Sequence, residues 1–411
     1  MTEPLHGALA AADAIAAELT DPRPWAAAPP NSGRAWPQSL AGGAAGIALL
    51  HIERAYSGHG DPHTAHAWLE VAASGTLTAA ANAGLFFGAP ALAFVTHAAA
   101  GSSGAYRRAL DHLDDIVVAI TRARLIGAHA RIDRGRRPPM KELDLIRGLT
   151  GLGVYHLKRH PERRITSDVL SYLARLTEPL PTDDDLPGWW TDVAPNGEPS
   201  SDYPHGHGNF GLSHGIGSAL ALLSLAVLCN VPAAGVKEAI ERICAWTDLW
   251  QQEDSGGPWW PGLVTRDQVR AKHIDPLLRP RPSWCYGVGG TARAQQLAGL
   301  ALGDALRQQT AEEAMLATLR DPAQLDRLPE FGLCHGMAGL LQAAWRMAAD
   351  APSSGIADEL PGLADRLITQ MSHPADSFEL LDGSAGVALA LHTIGTGVAP
   401  ASGWDAFLLL S

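Results

Sequence analysis

The sequence predicts an all-α protein, a closed α/α toroid of seven inner and seven outer helices. Two observations carry that expectation. A small-residue turn of G-x-x-G type, or a near relative, recurs seven times, each copy leading into an apolar stretch of helical length. Amphipathic segments fill the intervals between the turns, and few stretches read as strands.

The copies are "GAAGIALLHI" from Gly43, "GAPALAFVTH" from Gly88, "GLTGLGVYHL" from Gly148, "GIGSALALLS" from Gly215, "GVGGTARAQQ" from Gly287, "GMAGLLQAAW" from Gly336 and "GSAGVALALH" from Gly383. Their first glycines are 45, 60, 67, 72, 49 and 47 residues apart, room for a turn, a helix, a connection and a second helix. The helices that open on the turns are apolar nearly all round, as an inner layer requires. Segments 64–80, 106–125, 233–250, 304–320 and 357–371 keep their charges on one face, as an outer layer requires. An open solenoid needs polar capping repeats, yet the last copy, "LLDGSAGVALALHTIGTGV", is as apolar as the middle ones. Closure into one ring over residues 1–411, a single domain, is the expectation. Its glycine turns then gather at one end, around the axis. Loop insertions are expected after repeats three and four, at about 182–209 and 253–282.

Bulk composition narrows the function. Of 411 residues, 46% are hydrophobic and 18% charged, with a formal net charge of −12. No basic stripe exists to displace counterions, so nucleic acid is excluded as a partner, and an anionic membrane surface gains no support. No apolar run reaches the roughly 20 residues of a membrane span, and "MTEPLHGALA" has no basic start typical of a signal peptide. Four cysteines in so long a chain read as cytoplasmic thiols or metal ligands rather than a disulfide framework.

Residues flanking converging turns belong together. Repeat five offers Cys285 in "SWCYGVGG", and repeat six offers adjacent Cys334 and His335 in "FGLCHGMAG". Repeat four offers His214 in "LSHGIG", and repeat three Asp144 in "LDLIRG". Two cysteines and a histidine make a Cys₂His set for one Zn²⁺ per chain. Three protein ligands leave a fourth position open, the arrangement of catalytic rather than structural zinc. Cys229 and Cys244 lie within apolar helices and read as small core residues. His205 and His207 lie in a Gly/Pro loop and read as solvated, while Trp189–Trp190 and Trp259–Trp260 read as packing beneath loops.

At "GLSHGIG", "WCYGVGG" and "LCHGMAG", in that order, the chain resembles the lanthionine cyclase (LanC and LanC-like) family, the stand-alone cyclases of class I lanthipeptide pathways. The resemblance runs from "LAGGAAGIALL" to "FELLDGSAGVALAL". It implies a double ring of seven inner and seven outer helices. It also implies zinc ligands Cys285, Cys334 and His335, a catalytic histidine at His214, an acidic residue at Asp144, an arginine at Arg281 and a tyrosine at Tyr286. The reaction it implies is intramolecular addition of cysteine thiols to dehydroalanine or dehydrobutyrine. The implied substrate is a dehydrated precursor peptide, leader plus core, and a dehydratase and a transporter are the implied complex partners. Pro282 follows Arg281 where the family often has aspartate, Arg279 is a second arginine close by, and Ser218 and Ala91 replace repeat glycines. Three rival readings use similar parts. One is a non-catalytic zinc protein that binds glutathione or a thiol peptide. Another is thiol activation of the prenyltransferase kind, whose zinc set differs from an adjacent Cys–His. The last is a glycosidase, which needs two facing carboxylates and no cysteines.

Overall fold

The computed structural model describes residues 5–28, 36–181, 185–371 and 377–411. Thr182–Asp184, at the start of the first expected insertion, lie outside the described residues. Those described gather into two compact units: residues 1–117 with 325–407 and 411, and residues 118–324 with 408–410.

Each of the seven turns leads into a helix. The inner helices are Ala44–Tyr56, Ala89–Ala100, Leu149–Arg159, Ile216–Leu228, Val288–Leu302, Met337–Asp350 and Ser384–Thr396. All seven have glycine at the N-cap, with no side chain accepting from the first helical N–H groups. The reason is close approach. At Gly287 the backbone is extended (φ −106°), but an added Cβ would lie 1.9 Å from the Arg281 carbonyl oxygen. The next glycine, Gly290, would place its Cβ 2.0 Å from the Trp284 carbonyl. The turn folds flat over the segment before it, and only hydrogen fits there.

That compactness exposes a further register. Three residues before each turn glycine stand Leu40, Leu85, Leu145, Leu212, Trp284, Leu333 and Leu380, all 0% exposed. Leu212, Leu333 and Leu380 reach into the next repeat, where a Cβ at Gly290, Gly386 or Gly46 would lie 3.0, 2.7 or 2.7 Å from their side chains, and truncating such a leucine to alanine costs about 2–5 kcal/mol.

In the first unit the inner helices of repeats six, seven, one and two lie side by side. Their turns are joined by backbone bonds: Cys334 N–H donates to Leu381 O (3.0 Å), Leu381 N–H to Ala41 O (2.9 Å) and Leu40 N–H to Phe86 O (3.0 Å). The last inner helix therefore packs beside the first. Outer helices Pro62–Ala72 and Ile356–Gln370 cover repeats one and six. Repeat seven is covered by His6–Glu18, an outer helix absent from the five the sequence suggested. Its Ala8, Ala12 and Ala16 form a buried stripe, and a Cβ at Gly395 would lie 2.7 Å from Leu9 N, so these helices meet nearly backbone to backbone.

In the second unit Ile216–Leu228 lies between Leu149–Arg159 and Val288–Leu302. Leu145 N–H donates to Ser213 O (3.1 Å) and Leu212 N–H to Cys285 O (2.9 Å), joining turns three, four and five. Arg164–Leu176, Val236–Asp248 and Ala305–Arg320 form the outer layer here. Of the expected outer segments, 64–80 stops at Ala72, before Ser74 and Gly75. The segment expected at 106–125 extends over Arg107–Asp133, its last turns tied by Arg131 to Glu142 (2.8 Å) and Arg175 to Asp133 (2.5 Å).

The two insertions carry short strands that the sequence did not suggest. His207–Asn209 pairs antiparallel with Leu263–Thr265, joining one insertion to the other, and Gln252–Asp254 pairs with Gly257–Trp259. Tryptophans 189, 190, 259 and 260 are buried beneath them, as expected of packing residues. His207 is not solvated: it is 0% exposed, its Nδ1 lies 2.9 Å from Val193 O, and burial lowers its pKa. Cys229 is likewise not a core residue; it caps the end of Ile216–Leu228 and is exposed. Cys244 is buried, and burial pushes its thiol up to about 12. Among the described residues no helix is long and apolar enough to cross a membrane.

Candidate metal and catalytic site

Turn three ends the short helix Met140–Leu143 with Asp144 as its C-cap. The Asp144 side chain is 2% exposed, and both its oxygens are engaged. Oδ1 accepts the N–H of Arg147, three residues on (2.8 Å), and Oδ2 lies 2.7 Å from Nδ1 of His214. Opposite the carboxylate, Arg124 feels its charge: burial lowers the Arg124 pKa while Asp144 opposes that shift. The bond from Leu145 N–H to Ser213 O brings the two turns into the register that pairs Asp144 with His214. With Nδ1 engaged, Nε2 is the His214 nitrogen left for proton exchange.

Turn five presents Cys285 and Tyr286. Cys285 Sγ lies 3.3 Å from Ser283 Oγ, two residues earlier. Asn209, at the end of the inter-insertion strand, donates through Nδ2 to the Tyr286 hydroxyl (3.2 Å) while its Oδ1 accepts the Gly211 N–H (2.9 Å). A backbone N–H can only donate, so this second bond fixes which end of the amide faces the tyrosine. The Tyr286 oxygen then accepts from Asn209, and its own hydrogen points elsewhere. Arg281 is half-buried, and its carbonyl accepts the Ser283 N–H (2.8 Å) beneath Gly287. Arg279 is committed to the insertion, buried against Asp254 (2.5 Å) and Gly256 O (3.0 Å).

Turn six presents Cys334 and His335. Nε2 of His335 faces Cys334 Sγ at 3.6 Å, and Nδ1 lies 3.1 Å from Asp382 Oδ1 on turn seven. Adjacent residues can do this because the turn is not yet helical. The donor atoms of Cys285, Cys334 and His335 lie within 4.8 Å of one another, the one such group of three among the described residues. Two soft sulfurs and an imidazole nitrogen whose other nitrogen is already engaged suit a zinc ion. The residues present fit that ion.

Reasoning from sequence named Asp144, His214, Arg281, Cys285, Tyr286, Cys334 and His335. It missed Asn209, Ser283 and Asp382. Asp382 had a legible signal: it directly precedes its turn glycine, the slot that His214, Tyr286 and His335 occupy on turns four, five and six.

Comparison with known proteins bears on the fold and the family. Nisin biosynthesis protein NisC of Lactococcus lactis subsp. lactis is 24% identical over 242 residues, 58% of this chain and 55% of that protein. The match thus spans about half the length of that curated relative. Among solved structures, a nisin cyclase superposes with a TM-score of 0.78 at 19% identity, covering 97% of this chain and 96% of the other. The likeness shows the fold, an all-α toroid as the repeats predict. Lanthionine synthetase C-like proteins match residues 34–409. With nearly its whole length matched, the chain belongs to the lanthionine synthetase C-like family.

Proposed function

We propose that this protein is a zinc-dependent peptide cyclase, a single toroidal domain that forms lanthionine and methyllanthionine thioethers in a dehydrated precursor peptide. The observation that carries this reading is the grouping of Cys285, Cys334 and His335 donor atoms within 4.8 Å. When bound there, zinc supplies the Lewis acidity that keeps a substrate cysteine sulfur ionised near neutral pH, where a free thiol is only a few per cent thiolate.

The remaining work falls to the chain's own residues. The substrate S–H bond breaks and a C–S bond forms at the β-carbon of the dehydroamino acid. The double-bond electrons move toward the carbonyl as an enolate, and a proton is then added at the α-carbon. Substrate and product are isomers, so no oxidant or reductant is needed. His214, oriented by Asp144, takes up the thiol proton at Nε2 or returns one to the α-carbon. The Tyr286 hydroxyl, its oxygen occupied by Asn209, donates its hydrogen toward the enolate oxygen, with Arg281 as the positive charge nearby in sequence. The described cysteines are all free thiols, in keeping with work in the reducing cytoplasm beside a dehydratase.

The test begins with zinc by elemental analysis on wild type, Cys285→Ala and Cys334→Ala, purified without added metal. About one zinc per chain, absent from both variants, is the expected result. Thioether formation on a dehydrated precursor then follows, with and without His214→Ala. Because cyclisation leaves the mass unchanged, it is read as loss of thiols open to alkylation. Metal-free wild type, or zinc untouched by the substitutions, refutes the reading.

A further inference from the structure

We propose that Asp382 is a positioning residue for metal binding, holding the His335 ring through Nδ1 so that Nε2 is the nitrogen presented with the sulfurs. The proposal rests on the zinc reading above and adds a residue that neither the motifs nor the donor set names.

The geometry is local to turns six and seven. Cys334 N–H donates to Leu381 O (3.0 Å), which fixes the register of the two turns and sets Asp382 beside His335. Gly332 keeps them close: a Cβ there would lie 2.6 Å from the Asp382 Cα and 2.9 Å from Leu381 O. The resulting contact is Nδ1 to Oδ1 at 3.1 Å, with Nε2 turned to Cys334 Sγ at 3.6 Å.

Packing alone does not impose that orientation. The side chains of His335 and Asp382 are 38% and 28% exposed, so the ring has room to turn about χ2. A carboxylate at Nδ1 selects the tautomer with hydrogen on Nδ1 and a lone pair on Nε2, and its charge makes Nε2 a stronger donor. The protein uses the same device on His214. There the carboxylate of Asp144 is itself anchored by the Arg147 N–H, whereas Asp382 sits nearer the surface.

The experiment measures zinc affinity of metal-free wild type, Asp382→Asn and Asp382→Glu by competition with a chromogenic chelator. Asparagine keeps the size and removes the charge. It is expected to bind zinc roughly 10–100-fold more weakly, while glutamate restores most of the affinity. Unfolding of the metal-free proteins is expected to coincide, which separates ring orientation from fold. Equal affinity in wild type and Asp382→Asn overturns the proposal and leaves the zinc site standing. No binding by wild type overturns both. Should the variants fail to fold, imidazole ¹⁵N NMR of zinc-loaded wild type decides: hydrogen on Nδ1 of His335 supports the proposal, and hydrogen on Nε2 refutes it.

Discussion

Asp144 meets His214 through Oδ2 at 2.7 Å from Nδ1, while its other oxygen is held by the backbone of its own turn. The pair comes from turns 70 residues apart in sequence, yet the carboxylate has no freedom to swing away. In Asp144→Asn the amide retains the shape and loses the charge; the Arg147 N–H, which can only donate, keeps the amide oxygen, so the NH₂ faces Nδ1 and favours the wrong His214 tautomer. Ring formation is expected to slow by roughly 100-fold or more, the scale of general acid–base catalysis. Zinc content should not change. An unchanged rate at full zinc occupancy would sink the assignment.

In the reaction Asn209 acts through Tyr286, while its other hydrogen bond, from the Gly211 N–H, holds its own turn. Asn209→Ala removes both bonds, and loss of the one to Tyr286, worth about 1 kcal/mol, should slow ring formation about fivefold. Tyr286→Phe should make the second substitution nearly silent, since the amide then orients nothing. Additive losses in the double variant would show that Asn209 works by another route.

Acid should destabilise the first unit through two buried imidazoles. Burial lowers the pKa of His51 from 6.5 to about 4, and burial, aided by the charges of Arg54 and His59, does the same for His392. The unfolded chain then takes up these protons first, so their contribution is whole above pH 6.5 and drains away as pH falls to about 4. The unfolding temperature should decline across that window, less steeply in His392→Gln. Parallel profiles for the two proteins would contradict this account.

Asp405 is 0% exposed and accepts from Arg346 (2.5 and 2.8 Å), Gln342 (2.8 Å) and Ser411 (2.9 Å). Burial pushes its pKa up, but Arg346 and the hydrogen bonds outweigh that and hold it below the usual carboxylate value. Asp405→Ala leaves Arg346 with an uncompensated charge, and urea unfolding at pH 7 should show a loss of about 3–5 kcal/mol. A loss under 1 kcal/mol would mean water already shields the pair.

What could be read from the sequence was whatever repeats or carries soft-metal chemistry. The seven turns were legible because flat packing admits only glycine, at Gly287 as at its counterparts. Cys285, Cys334 and His335 were legible because the chain has only four cysteines, two of which fell at equivalent slots, one with a histidine beside it. His6–Glu18 was not legible as the partner of Ser384–Thr396, since an alanine stripe announces no mate hundreds of residues away. The slot of Asp382 before its turn glycine was legible, but its pairing with His335 was not: that register is set by a backbone bond between turns, which no side chain encodes. The three-residue strands around Asn209 are too short for alternation to show. His207, lost among prolines and glycines, looked solvated when the ribbon in fact buries it.

The marriage of the first helix to the last has a consequence for how the polypeptide is made. Residues 118–324 emerge in one stretch and can consolidate as they leave the ribosome. His6–Glu18 is made well before its mate, Ser384–Thr396; at about 5–20 residues per second it waits on the order of 20–80 s. During that delay its alanine face has nothing to lie against. Nascent chains stalled before residue 384 should be clipped by protease within 6–18, and released chains that carry residues 384–396 should resist. Synthesis of that late segment, rather than any earlier event, is then what gives the helix at 6–18 its shelter.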